Sequence, residues 1–102
     1  MKRLAKINRV FEARSGVNTK GNPWVMQDIE IEWEEQEPNM QSYTCKLIVT
    51  LNKKMKTEAV DTLTKSGQVV SVSFYPDTHD YNQRVYNSIR AFIPNEYTEE
   101  IK

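Results

Sequence analysis

The period of the apolar positions changes along the chain, and each change marks an element. Residues 25–33, VMQDIEIEW, alternate apolar with polar or acidic side chains, the two-residue period of a strand with one buried face. On that register Ile29, Ile31 and Trp33 point inward, and Trp24, Met26 and Asp28 point outward. Upstream, Leu4, Ala5, Ile7, Val10 and Phe11 lie among Lys and Arg and predict a first strand. Between the two, residues 16–24 read GVNTKGNPW. Gly tolerates positive φ, Asn favours left-handed geometry and Pro presets its φ, so the chain reverses here and the two strands meet. The reversal delivers a tryptophan.

Residues 42–51, SYTCKLIVTL, are rich in β-branched side chains and predict a third strand, with Cys45, Leu47, Val49 and Leu51 inward and Lys46 outward. From Lys54 to Lys65 the period lengthens: Met55, Ala59, Val60 and Leu63 fall on one side of a helix. Asn52 or Thr57 is placed to cap its start and Gly67 to end it. Period two returns at Gln68. Val70, Val72 and Phe74 take the inner face of a fourth strand, and Val69, Ser71, Ser73 and Tyr75 the outer one. Residues 76–83 contain Pro, Asp and Asn and are predicted as a loop. A fifth strand covers residues 84–93, with Val85, Ile89, Ala91 and Ile93 inward and Tyr86, Ser88, Arg90 and Phe92 outward. Pro94 stops it.

These elements predict a mainly β chain. Three strands, a helix and two strands make the order of a five-stranded OB-fold Greek-key barrel with one helix between strands three and four, and a half-open roll uses the same elements. Residues 1–94 form that domain, and residues 95–102 are a short acidic C-terminal tail, expected to be loosely held. The length of 102 residues fits one domain with a modest core. The lone Cys45 forbids an intrachain disulfide and is expected as a buried thiol. No run of about 18 apolar residues occurs, and Met1-Lys2-Arg3 leads into charge rather than an apolar stretch. The expectation is a soluble cytoplasmic protein with no membrane partner.

Charge changes the picture through its distribution. The sum is zero, unlike most nonspecific polyanion binders. Yet residues 1–20 carry Lys2, Arg3, Lys6, Arg9, Arg14 and Lys20 against Glu12 alone, whereas residues 21–40 carry Asp28, Glu30, Glu32, Glu34, Glu35 and Glu37 with no base. If the first two strands pair, cross-strand charge matching on a solvated face follows.

Three segments carry a resemblance: Thr19-Lys20-Gly21-Asn22-Pro23-Trp24, Lys65-Ser66-Gly67-Gln68-Val69-Val70-Ser71-Val72, and Arg84-Val85-Tyr86-Asn87-Ser88-Ile89-Arg90-Ala91. They resemble the "T-K-x-G" turn, the "K-x-G-x-x-V-x-V" start of strand four and the "R-x-Y-x-x-x-I-x-A" last strand of bacterial single-stranded-DNA-binding proteins. They are similar, more closely in length and pattern, to a domain-of-unknown-function family of short bacterial and phage OB-fold proteins with a "G-K-x-W" turn and an "I-R-A-W"-like end. The likeness spans residues 4 to 94. It implies an OB fold and a part in binding single-stranded nucleic acid. Two departures are the acidic row on the second strand and the absence of a long linker ending in an acidic-Pro-Phe tip.

For catalysis the inventory is thin: one His, one Cys, no P-loop and no His-Glu-x-x-His. The expectation is a protein that is not an enzyme and takes no cofactor or metal, since His79 between Asp77 and Asp80 is too little to fix an ion. The aromatics are more informative, because single-stranded nucleic acid needs stacking platforms beside cations. Tyr86, Arg90 and Phe92 share the outer face of the last strand. Trp24 beside Lys20 faces the mouth of the barrel, or the barrel end if a bulge at Pro23 turns it inward. Lys46, Tyr81 and Arg84 complete the candidate nucleic-acid contacts. Two readings of this face stand: single-stranded DNA or RNA bound with low sequence specificity, or a protein-interaction surface for a second copy of the chain or a replication or mobile-element protein.

Overall fold

The computed structural model describes residues 1–39, 41–81 and 84–99, and of 77–81 and 84–87 the backbone alone. Strands β1 (Lys2–Val10), β2 (Arg14–Val17), β3 (Pro23–Glu35) and β4 (Tyr43–Leu51) come first. The two-residue β5 (Lys54–Met55) and helix α1 (Thr57–Ser66) follow, then β6 (Val69–Tyr81), β7 (Arg84–Phe92), a 3-10 turn at Asn95–Tyr97 and the short β8 (Thr98–Glu99). The mainly β expectation holds.

Five of these strands close on themselves: β1 pairs with β3, β3 with β4, β4 with β7, β7 with β6, and β6 with β1. All the ladders are antiparallel except β4–β7. The result is a closed five-stranded β-barrel, consistent with an OB-like barrel. In chain order α1 lies between β5 and β6 rather than directly after a third strand, because β2 and β5 are additional short strands. The parallel seam consists of Thr50 opposite Arg90 and Leu51 opposite Ala91. Above it β4 and β7 have no ladder to each other among the described residues.

Alternation puts the core where it was expected. Ile7, Ile29, Ile31, Val49, Leu51, Leu63 and Val72 are at most 2% exposed, and their burial is the main driving force for closure. Trp33 packs against this core with its ring 5.2 Å from that of Phe74, tilted by 50°. Cys45 departs from the expectation: it is half-buried, because the seam begins only at Thr50.

Two further differences have local causes. Lys54 and Met55 are strand, not helix, since they pair with Glu99 and Thr98. The helix therefore begins at Thr57, with Lys56 at the N-cap and no side-chain cap. Gly67 ends it as expected, at φ 71°. That β5–β8 pairing also holds residues 95–99, with Thr98 buried, against the expectation of a loose tail. The segment Pro76–Tyr81 is strand, not loop, with Pro76 opposite Ile89 in the ladder. The Phe74 N–H points away from β7 and donates to Met1 O at 2.8 Å. Pro76, two residues on, turns its nitrogen to the same side, beyond the end of β1, where no ladder bond is lost.

Gln27 was hidden in the alternation as one more inward position. It is buried, donates Nε2–H to Phe11 O at 3.0 Å and accepts the Met55 N–H on Oε1 at 2.8 Å. It thus satisfies the backbone where β1 gives way to β2 and ties it to β5.

Candidate nucleic-acid interface

The turn that opens the site is built by Asn18. Its Oδ1 accepts the N–H groups of Lys20 and Asn22, both at 2.9 Å, and Gly21 supplies φ 82°. The pair Val17–Pro23 closes the hairpin, and Gly16 stands opposite Trp24. Trp24 keeps the outward register, 37% exposed. Its ring lies back over Gly16: a Cβ placed there would come within 2.7 Å of Trp24 Cζ2. The turn delivers a tryptophan because a glycine across the hairpin leaves room for its indole. Lys20 is exposed at the tip, beyond the Val17–Pro23 pair, so the structure does not join it to Trp24 as one element.

Along β3 the outer row continues as Asp28, Glu30 and Glu32, and neighbouring strands answer each acid. Arg14 Nη1 lies 3.3 Å from Asp28, Arg9 Nη2 2.8 Å from Glu30, and Lys6 Nζ 3.3 Å from Glu32. Arg3 pairs with Glu35, which also accepts the Trp33 indole N–H at 2.7 Å. The cross-strand matching expected from the charge blocks is present. A register shift between Ile7 and Arg9 marks a bulge in β1, and Asn8 at that bulge donates to both Glu30 (3.2 Å) and Glu32 (3.1 Å). The Arg9 and Asn8 hydrogen bonds hold the Glu30 carboxyl below its ordinary value, those of Asn8 and Lys6 do the same for Glu32, and those of Arg3 and Trp33 for Glu35. Lys46 points outward as expected, but its Nζ lies 3.7 Å from Glu32, which already occupies its charge.

The other side of the barrel differs. Phe92 is outward and 52% exposed, and Tyr75 from β6 is 43% exposed. Their rings stack with centroids 6.0 Å apart and planes 23° apart. Tyr75 is a partner that the sequence reading placed on the outer face without assigning it a role. Its signal was there: strand four puts Tyr75 outward, and Tyr75 faces Arg90 in the ladder. The half-buried Arg90 reaches across the end of β4, with Nη1 3.1 Å from Asn52 Oδ1 and 3.4 Å from Met26 Sδ. Met26 shares the outer face of β3 with Trp24. A strip therefore runs from Tyr75 and Phe92 through Arg90, Asn52 and Met26 to Trp24. It crosses from β6 to β3, three strand spacings or about 14 Å.

Trp24, Arg90 and Phe92 thus all face outward along a strip that passes around three of the barrel's five strand spacings, and Lys20 and Lys46 lie apart from it. The side chains of Tyr81, Arg84 and Tyr86 lie outside the described residues, as does that of His79. Among the described residues no cluster of His, Cys, Asp and Glu is arranged to hold a metal, and no helix is long and apolar enough to cross a membrane. The chain matches no family model, no curated protein and no solved structure.

Proposed function

We propose that this is a non-enzymatic OB-fold protein, a Greek-key barrel in its connectivity, that binds single-stranded DNA or RNA with low sequence specificity across the Tyr75–Phe92–Arg90–Trp24 strip. One observation carries the reading: two exposed aromatic rings are stacked on the outer sheet beside an arginine held between β7 and β3. Every base has a π-face, so aromatic platforms bind strands without reading sequence, at about 1–3 kcal/mol per stacked base. A guanidinium adds phosphate pairing and stacking of its own. The zero net charge fits a binder of modest affinity whose cations are local rather than spread over the surface.

The test is fluorescence anisotropy of a labelled dT oligonucleotide of about 16 nucleotides at about 50 mM salt. The protein binds, affinity falls as salt rises through counterion release, and the double change Arg90→Ala with Phe92→Ala weakens binding at least about tenfold, or ~1.4 kcal/mol. Lys46→Ala changes it little, because Glu32 already occupies that ammonium. Unchanged oligonucleotide affinity, together with a shift of the double variant from dimer to monomer, would make this face a subunit contact instead.

A further inference from the structure

Strand β4 meets β3 at every residue from Tyr43 to Leu51, but it meets β7 only at Thr50 and Leu51. Among the described residues, 43–49 pair with no other strand and make no other backbone hydrogen bond. The direction of their free groups follows from the ladders. Phe74 gives its N–H to Met1 and stands opposite Ala91, so Ala91 turns its own backbone groups toward β4. There it faces Leu51, and a residue in a parallel ladder bonds the two residues flanking the one it faces. Thr50 therefore points its N–H and C=O to β7, and by alternation Ile48, Lys46 and Thr44 point theirs out of the sheet edge.

The side chains along this edge are apolar apart from Thr44 and Lys46. Tyr43 is 43% and Ile48 51% exposed, and Cys45 and Leu47, although they face inward, are only half-buried. An open edge of this composition is a template for another strand.

We propose that the occupant is β4 of a second copy, in an antiparallel pair about a two-fold axis beside Cys45. Such an axis sets the strand against itself, so the register is fixed by the residue at its centre. Lys46 at the centre would oppose two ammonium groups. Leu47 there would match Cys45 with the fully buried Val49 and leave Tyr43 facing Leu51, which β7 already holds. Thr44 there would set Leu47 against Gln41, which precedes the strand. With Cys45 at the centre, Tyr43 lies opposite Leu47 of the second copy, and Thr44 exchanges both backbone hydrogen bonds with Lys46 of the second copy.

The charges agree with that register. Glu34 lies beside Thr44 on β3, so Lys46 stands two strand spacings from Glu34 of the second copy, about 10 Å along the outer face, within the combined reach of the two side chains. Glu34 is exposed, accepts from Thr44 Oγ1 at 2.7 Å and pairs with no cation among the described residues. Lys46, 3.7 Å from Glu32, has ammonium hydrogens for a second carboxylate. The axis makes the contact twice. Tyr75, Phe92, Arg90 and Trp24 take no part, so the dimer is independent of what their strip binds.

Sedimentation equilibrium of the full chain over a concentration series gives the mass of two chains. Lys46→Glu sets Glu against Glu34 twice, Glu34→Lys sets Lys against Lys46 twice, and each weakens self-association at least about tenfold, with circular dichroism matching the parent's. An equal mixture of the two variants restores the dimer, since both contacts of the mixed pair then join opposite charges. Cross-linking needs no variant. Residues facing each other in a non-hydrogen-bonded pair have Cα atoms about 4.5 Å apart, within disulfide range. Diamide therefore takes the two thiol hydrogens, becoming the hydrazine, and joins the two Cys45 side chains. A chain that sediments as a monomer throughout overturns the proposal, as does a dimer that diamide leaves unlinked. A mixture no more associated than its components overturns the Lys46–Glu34 contact and this register with it. A dimer that both variants retain, and that Arg90→Ala with Phe92→Ala dissociates, overturns it in favour of a contact through the strip.

Discussion

The outer rows of β3 and β7 are built on the same alternation, over the same core, yet they present opposite chemistry. On β3, Asp28, Glu30 and Glu32 each meet a cation from β1 or β2, and β4 adds Thr50 to Asp28 at 2.7 Å and Lys46 to Glu32. Both flanks of the row are occupied. On β7, Phe92 stacks on Tyr75 with both rings part-exposed, and Arg90, opposite Thr50, reaches Asn52 and Met26. The difference teaches that an acidic strand in a barrel of zero net charge is not by itself a repulsive surface. Its charges are satisfied within the sheet, whereas the Tyr75 and Phe92 rings stand part-exposed to solvent elsewhere on the barrel.

The sharpest way to separate structure from surface is to remove one apolar side chain from each region. Ile31 lies fully buried beneath the acidic row, and Ile31→Ala leaves a cavity costing about 2–5 kcal/mol. Phe92→Ala removes a half-exposed ring and one stacking partner, for about 1 kcal/mol. Chemical denaturation of both variants measures the two losses. A larger loss at Phe92 than at Ile31 would mean that the aromatic strip is structural and would break the contrast.

Gly16→Ala probes the end of the strip. The added methyl would lie 2.7 Å from Trp24 Cζ2 and 2.9 Å from Cε2, so the whole indole must move rather than only its tip. The expected cost is about 1 kcal/mol, the lower end for overpacking because the ring is partly exposed. Trp emission should shift with it, and oligonucleotide affinity should change through the displaced platform. An unaltered spectrum would show that Trp24 does not rest on Gly16 in solution.

Much of this architecture was legible in the sequence, for a physical reason that also marks the limit. Period-two patterning is enforced by burial, so Ile29, Ile31, Val70, Val72, Ala91 and Ile93 were assignable to the core, and Trp24, Arg90 and Phe92 to the outside. The turn foretold that the first two strands meet, and the charge blocks foretold the cross-strand matching that follows from their pairing, since opposite charges on paired strands are neighbours. What was not legible depends on where strands end. Pro76 reads as a loop signal, and only the end of β1 beside β6 reveals that its missing N–H has no bond to lose. Met55 fits a helical stripe, and only β8, far along the chain, draws it into a strand. The outward placement of the candidate aromatics Trp24 and Phe92 was legible, whereas the partners of the cations were not: Arg90 reaching Asn52 and Met26, or Lys46 reaching Glu32, follows from long side chains crossing strands, and no local pattern encodes that.

The smallest expected effect, and the most specific to the charged row, is in acid. Glu30, Glu32 and Glu35 all titrate below the ordinary glutamate value in the folded protein. Above that ordinary value, about 4.3, the three are ionised in both states and their contribution to stability is complete. As pH falls below it, the unfolded chain takes up protons that the folded chain still refuses, so stability declines until the lowered folded values are passed. A denaturation series from about pH 5 downward should show this decline as a slope. The pairs are accessible to water, so added salt should flatten the slope, though incompletely, because the leading causes are hydrogen bonds from Arg9, Asn8 and Arg3 rather than distant charge. Asn8 offers the cleanest intervention, being neutral and bonded to two carboxylates at once. Asn8→Ala should make the acid slope shallower while leaving the Arg9–Glu30 and Lys6–Glu32 pairs in place. Stability that rises as the pH falls would mean that the carboxylates repel one another in the folded state, and the β3 row would then be an unmatched anionic surface, the reverse of the contrast with β7.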